Sequence, residues 1–428
     1  MIKFEKFELK NGLKVIVHQD ETTPIVAFNL LYNVGARDED ENKTGFAHLF
    51  EHLMFGGSVN IPNFDEPLQF VGGDNNAFTS NDITNYYITV PKNNLETAFW
   101  LESDRMLSLA FTEKSLEVQR QVVIEEFKQT CLNQPYGDVW SLLRPMVYKK
   151  HPYQWATIGK EIAHIENATM NDVKSFFFKH YLPCNAILSI AGNVTTKEIK
   201  ALSEKWFGNI PSGEKPLRNL PLEPIQTEER RLRVERDVPA NAIFKAFRMC
   251  KKTDDEFYAT DLLSDILSNG SSARLYQALV KNNPLFSEIS AYVMGSFDEG
   301  MFIISGNLQE NTSFDEAEKA IEKELENIKK TLVAEHELTK VKNKIISSHE
   351  FAETSVLNKA MNLAIAELLG DANDVNFENE KYSKVTPEDI NKVAKKILVS
   401  TNCSTLIYAK KTEVGSQKTE VKKQITNN

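Results

Sequence analysis

Phe46-Ala47-His48-Leu49-Phe50-Glu51-His52-Leu53-Met54-Phe55-Gly56-Gly57-Ser58 is the stretch from which the rest of the chain is read. Its apolar residues recur at helical spacing. Thr44 offers a side-chain oxygen near the start, and Gly56-Gly57 ends the run. His48 and His52 are four residues apart, so both imidazoles leave one face of the helix, one turn above the other. Two nitrogens so placed can grip one Zn²⁺ at about 2.0–2.1 Å. Glu51 lies beside that face without needing to be a ligand. There it could take a proton from a water held at the metal.

Upstream, residues 6–18 read as a hairpin, two alternating strands around Asn11-Gly12. Ile25 to Val34 is a mostly apolar strand with a central place in a sheet, followed by a charged loop from Arg37 to Lys43. Downstream, two strands are expected around 76–79 and 84–90, rich in Thr, Tyr, Ile and Val and separated by turn-forming Asn and Asp. The first is short, as edge strands are, and an edge strand can accept an extended peptide by β-augmentation. Helical periods cover Asn94 to Leu109 and Glu113 to Thr130. The second carries Glu125-Glu126 near its end, where one carboxylate could be a third ligand and leave the fourth position open. Ala186 to Asn193 reads as a buried strand, Asp315 to Val333 and His336 to Leu369 as long helices, and the last ten residues as disordered.

Between Ile210 and Pro224 stand four prolines, and beyond them the chain repeats itself. Asp261 to Ser271 lies over His48 to Ser58 at one offset, since 261 − 48 = 213 and 271 − 58 = 213. The helix frame and the terminal Gly-Ser survive; His48, Glu51 and His52 face Asp261, Ser264 and Asp265. This is duplication with one half chemically silent. It gives an α+β chain of two homologous α/β sandwich domains, each an antiparallel-rich sheet covered by helices. The expected domains are 1–212 with the metal motif and 225–428 without it, joined by a linker at about 213–224.

At 428 residues, with 41% hydrophobic and 26% charged residues, the composition is that of a globular protein. A net charge of -10 argues against a nucleic-acid partner, which calls for a basic face. Cys131, Cys184, Cys250 and Cys403 lie far apart with no C-x-x-C, so they are expected to be small buried hydrophobes in a reducing compartment. No stretch is long enough to span a bilayer and the N-terminus has no signal-like apolar region. A cytoplasmic chain is expected, or a periplasmic one had a signal been removed. His18, His151, His164, His180, His336 and His349 have no ligand-spaced partner and are read as structural or surface residues.

Taken together, these pieces resemble the M16, or pitrilysin-type, metallopeptidases, relatives of insulin-degrading enzyme and the mitochondrial processing peptidase. His48-Leu49-Phe50-Glu51-His52 matches their inverted zinc motif. Asn76-Ala77-Phe78-Thr79, followed by Asp82 and Thr84, looks like their substrate strand, and Arg120 to Glu126 like their distal-ligand segment. The resemblance implies a duplicated LuxS/MPP-like metallohydrolase fold and a Zn²⁺-dependent endopeptidase acting on peptides or unfolded segments, inside a clamshell of two chains. It implies His48, His52 and Glu126 as zinc ligands, with Glu125 the competing third ligand, and Glu51 as general base. Asn76, Ala77, Phe78 and Thr79 would bind substrate.

Two departures from the family pattern stand out. The glutamate that usually supports the site seven residues before the distal ligand is Gln119 here, a neutral amide that polarises the ligands less. The family's arginine and tyrosine in the second half, which help hold the substrate carbonyl, are replaced by Val280 and Ser287. The expectation is a dimer, specifically a heterodimer with a metal-free paralogue that supplies the Arg/Tyr pair, with no nucleic acid or membrane partner. The alternative is a non-catalytic or weakly active subunit that binds peptides or supports a partner.

Overall fold

The computed structural model describes residues 1–411; the last ten residues, expected to be disordered, lie outside them. The Asn11-Gly12 turn joins β1 (Glu5–Glu8) to β2 (Lys14–Gln19), paired antiparallel from Glu5↔Val17 to Glu8↔Lys14. Gly12 sits at φ +87, a left-handed conformation that suits glycine. β3 (Ile25–Tyr32), β4 (Asp74–Thr79), β5 (Thr84–Pro91) and β6 (Ala186–Gly192) complete the first sheet in the order β1-β2-β6-β3-β5-β4. β6 is buried at every position, as its run of Ala, Ile and Leu requires of a strand covered on both faces. β4 is one edge of the sheet and β1 the other.

The second half rebuilds the same sheet. β7 (Arg230–Arg236), β8 (Ala242–Arg248), β9 (Phe286–Met294), β10 (Met301–Leu308) and β11 (Cys403–Lys410) lie in the order β7-β11-β8-β10-β9. Each sheet contains one parallel pair, β2 with β6 and β7 with β11, and is otherwise antiparallel. The helix Glu256–Ser268 ends 213 residues after the motif helix Phe46–Phe55 (268 − 55 = 213), whereas β10 starts 217 after β5 (301 − 84 = 217). The repeat is therefore real in topology, with four residues gained between helix and strand.

One correction concerns the long helical period from His336 to Leu369, which is two helices, Glu335–Ala352 and Val356–Leu369. The Ser355 hydroxyl accepts from the Asn358 N–H and starts the second one, a capping choice that helical periodicity does not reveal.

The halves are interlocked. Helix Val139–Val147 belongs to the first half but packs Val139, Leu143, Met146 and Val147 against Ala242, Ala246, Ile303 and Leu406 of the second sheet. Reciprocally, helix Val356–Leu369 covers the first sheet, with Leu363 and Ala364 against Ile16, Leu31 and Ile187. Ala360 meets Ala27 and Ala191, three small side chains that let helix and sheet approach closely. Residues 211–227 carry no helix or strand and run as a strap between the sheets. Arg218 holds it to Asp38 (2.6 and 3.1 Å), and the Glu223 carboxylate accepts from three successive backbone N–H groups, of Lys149, Lys150 and His151 (2.7, 2.7 and 2.9 Å).

A polar seam joins the halves at Asp82. Its carboxylate takes the Arg37 guanidinium (2.9 Å), the Tyr153 hydroxyl and the Phe297 N–H (3.0 Å). Asp298, next along, lies 3.3 Å from His151 Nε2 and 3.3 Å from Lys251 Nζ. Among the described residues, no helix is long and apolar enough to cross a membrane.

Candidate metal centre

The motif helix spans Phe46–Phe55, and its Phe46, Leu49, Phe50, Leu53 and Met54 are buried in the first core. That orientation turns His48, Glu51 and His52 to the opposite, half-buried side. The start of the helix differs from expectation. Its N-cap is Gly45, at φ +87, and Thr44 instead serves Lys160 N–H (2.8 Å) and His164 (2.8 Å). The first-turn N–H groups go to Glu39, whose carboxylate accepts from Gly45 (3.0 Å), Ala47 (2.8 Å) and the Trp155 indole (3.0 Å). Burial pushes the Glu39 carboxyl up to about 8, against the pull of those donors. Gly56 and Gly57 end the helix as expected. Gly57 is at φ +92, and a Cβ there would stand 2.5 Å from the Pro62 carbonyl.

The distal helix Glu113–Phe127 crosses the motif helix and brings Glu126 to the histidines. Glu126 Oε2 lies 3.6 Å from His48 Nε2 and 3.4 Å from His52 Nε2, and the two nitrogens are 3.3 Å apart. These three residues are the one metal-capable cluster among the described residues. A tetrahedral ion at about 2.0–2.1 Å from each ligand spaces its ligands about 3.3–3.5 Å apart, so the residues fit Zn²⁺. Burial pushes His48 down to about 4, which leaves its imidazole neutral and its lone pair available near neutral pH. The Glu126 carboxyl is held below its ordinary value chiefly by the bond to His52. Glu125 is exposed and turned to Lys128 (2.5 Å), away from the cluster. Gln119, half-buried on the same helix, takes no part in these contacts.

Glu51 is next to the cluster and accepts from the Thr79 hydroxyl at 2.5 Å. Burial raises its carboxyl above the ordinary value, and the Thr79 bond opposes that rise. Thr79 ends β4, so one residue closes the edge strand and orients the carboxylate. On β4, Asn76 and Phe78 face out and Ala77 packs toward the core. The Ala77 N–H is taken by its neighbour Asn76 Oδ1 (2.8 Å). Sequence reasoning missed Glu39 and the roles of Thr79 and Asp82, which act through tertiary contacts.

In the second half the equivalent acidic side chains are engaged in hydrogen bonds. Asp261 accepts from the Tyr382 hydroxyl (2.6 Å) and Asp265 from Asn269 (2.7 Å). Val280 is half-buried against the second core, and exposed Ser287 on β9 donates to the Asn307 carbonyl (3.2 Å).

Two family models match the chain: insulinase (peptidase family M16) over residues 14–159, and peptidase M16 inactive domain over residues 167–345. Zinc protease PqqE of Helicobacter pylori is 33% identical over 334 residues, covering 77% of this chain and 75% of that protein. The crystal structure of a protease from Helicobacter pylori superposes with a TM-score of 0.88 at 30% identity, covering 95% of this chain and all of that one (100%). A peptidase M16 inactive domain from Pseudomonas fluorescens gives a TM-score of 0.87 at 16% identity, over 96% of this chain and 98% of that one, a likeness of fold alone.

Proposed function

The chain belongs to peptidase family M16, and on that premise we propose that it is a zinc-dependent endopeptidase for peptides or unfolded protein segments, working inside a clamshell of two chains. The observation that carries the reading is the convergence of two imidazole nitrogens and one carboxylate oxygen, within 4.8 Å of one another, beside a fourth residue, Glu51, and a free sheet edge. His48, His52 and Glu126 would hold the ion. A bound Zn²⁺ supplies Lewis-acid polarisation of a carbonyl and acidification of a water.

The remaining roles fall to the chain's own residues. β4 offers its outer edge to an extended substrate, which would replace Asn76 Oδ1 at the Ala77 N–H. Glu51, fixed by Thr79, is placed to take the proton of the attacking water and return it to the leaving amine. Because Thr79 belongs to β4, the base and the substrate strand share one register.

A second reading is supported by Gln119, Val280 and Ser287: a subunit that is weakly active alone and needs a metal-free partner carrying the Arg/Tyr pair. One experiment addresses both. Zinc content and cleavage of an unstructured fluorogenic peptide are measured for the chain alone and mixed with the candidate paralogue. Stoichiometric zinc with cleavage only in the mixture supports the divided site. Full activity alone removes the need for a partner, and absence of both zinc and cleavage refutes the peptidase reading.

A further inference from the structure

The distal ligand helix has an unusual end. After Phe127 the backbone widens into a π-helical turn, Lys128–Leu132, closed by the Asn133 N–H on the Lys128 carbonyl (2.8 Å). The loop that follows contains Tyr136, the one non-glycine residue among the described residues with positive φ (62). A tyrosine held there costs about 1–2 kcal/mol of backbone strain. Its neighbours Gln134 and Pro135 are exposed, yet its ring is half-buried between Tyr408 (5.2 Å) and Phe244 (6.5 Å) of the second sheet. Its hydroxyl clamps one residue of the second half twice, donating to the Ala240 carbonyl (2.7 Å) and accepting from the Ala240 N–H (3.2 Å).

A rigid path leads from that clamp back to the site. Gly137 presses on the π turn so closely that a Cβ would stand 2.5 Å from the Thr130 carbonyl and 2.9 Å from that of Cys131. The Thr130 hydroxyl in turn donates to the Glu126 carbonyl (2.7 Å). Val123, Ile124 and Phe127 seat the C-terminal end of the distal helix in the first half, so the π turn that starts at Lys128 continues a packed segment toward the second half.

We infer that Tyr136 is a positioning residue for Glu126, a strained latch by which the second half sets where the third metal ligand stands. The inference rests on the reading of Glu126 as a ligand. In this arrangement the metal-free half holds the metal half in shape for its ion.

The test uses the full chain, with Zn²⁺ affinity measured by competition against a chromophoric chelator and melting measured on the metal-free protein. Tyr136→Phe, which keeps the ring and removes the clamp, lowers affinity about tenfold with little change in metal-free melting. Gly137→Ala, which leaves the hydroxyl in place and displaces the turn, lowers affinity as well. In a Glu126→Gln background, itself weakened, Tyr136→Phe causes no further loss, because its effect passes through Glu126. Wild-type affinity in both Tyr136→Phe and Gly137→Ala overturns the latch while Glu126→Gln still shows the ligand. An equal loss from Tyr136→Phe in both backgrounds makes its role merely structural and also overturns it. Wild-type affinity in Glu126→Gln overturns the ligand reading itself.

Discussion

Glu51 and Thr79 form the hydrogen-bonded pair on which the proposed chemistry turns. Glu51→Gln keeps the side chain's size and touches none of His48, His52 and Glu126, the metal-capable cluster. It is expected to keep stoichiometric zinc and to lose turnover by about 10²–10⁴-fold, read by peptide cleavage beside metal analysis. Thr79→Val keeps the strand's shape and removes the 2.5 Å bond. A hydrogen bond to a charged group contributes about 1.5–3 kcal/mol. Thr79→Val should therefore lower kcat by about tenfold or more with KM little changed; an unchanged kcat would show that Thr79 does not orient the base. The grouping of the histidines and Glu51 was legible in the sequence because an α-helix turns spacings of three and four into proximity. Glu126 was legible only through resemblance, since periodicity does not distinguish it from Glu125. Glu39 was not legible at all. It stands in a charged loop that reads as solvated, and only the fold drives it under the motif helix.

At the scale of elements, alternation and burial gave away the strands, and the short β4 takes the edge position expected of it. Its outer backbone can be tested without touching the metal-capable cluster. Proline at an edge removes a free N–H yet leaves the inner ladder intact. Ala77→Pro is expected to raise KM for an unstructured peptide strongly while zinc content stays at the wild-type level. A wild-type KM would mean that substrate does not add to this strand. What the sequence concealed at this scale was how helices end. The break at Glu353–Ser355 and the π turn after Phe127 are made by local capping and backbone hydrogen bonds that a hydrophobic pattern passes over.

At the scale of the whole molecule the seam at Asp82 and Asp298 carries charge across the two halves. Asp298 is held down to about 2 by the neighbouring His151 imidazole and by Lys251. A carboxyl so lowered stabilises the fold above its ordinary value of 3.8 and loses that contribution as pH falls toward about 2. The stability advantage of wild type over Asp298→Asn should be about 1 kcal/mol at neutral pH, given partial exposure. In urea titrations it should shrink between about pH 4 and 2; a difference independent of pH across that window would remove Asp298 from the acid response. The duplication was legible in the sequence as an offset. The exchange of helices between the halves was not, because an amphipathic helix shows which face is apolar and never which sheet will receive it.

That exchange has a consequence for any attempt to divide the protein. The strap at 211–227 is the natural place to cut, with Leu217, Leu222 and Ile225 exposed to a protease. Severing it breaks one covalent path and leaves two mutual loans outstanding: the first fragment keeps the helix that roofs the second sheet, and the second keeps the helix that roofs the first. The pieces should therefore stay together through gel filtration and part only in denaturant. Produced separately, each would expose a bare apolar sheet until it met its complement, as the two parts of a split reporter do.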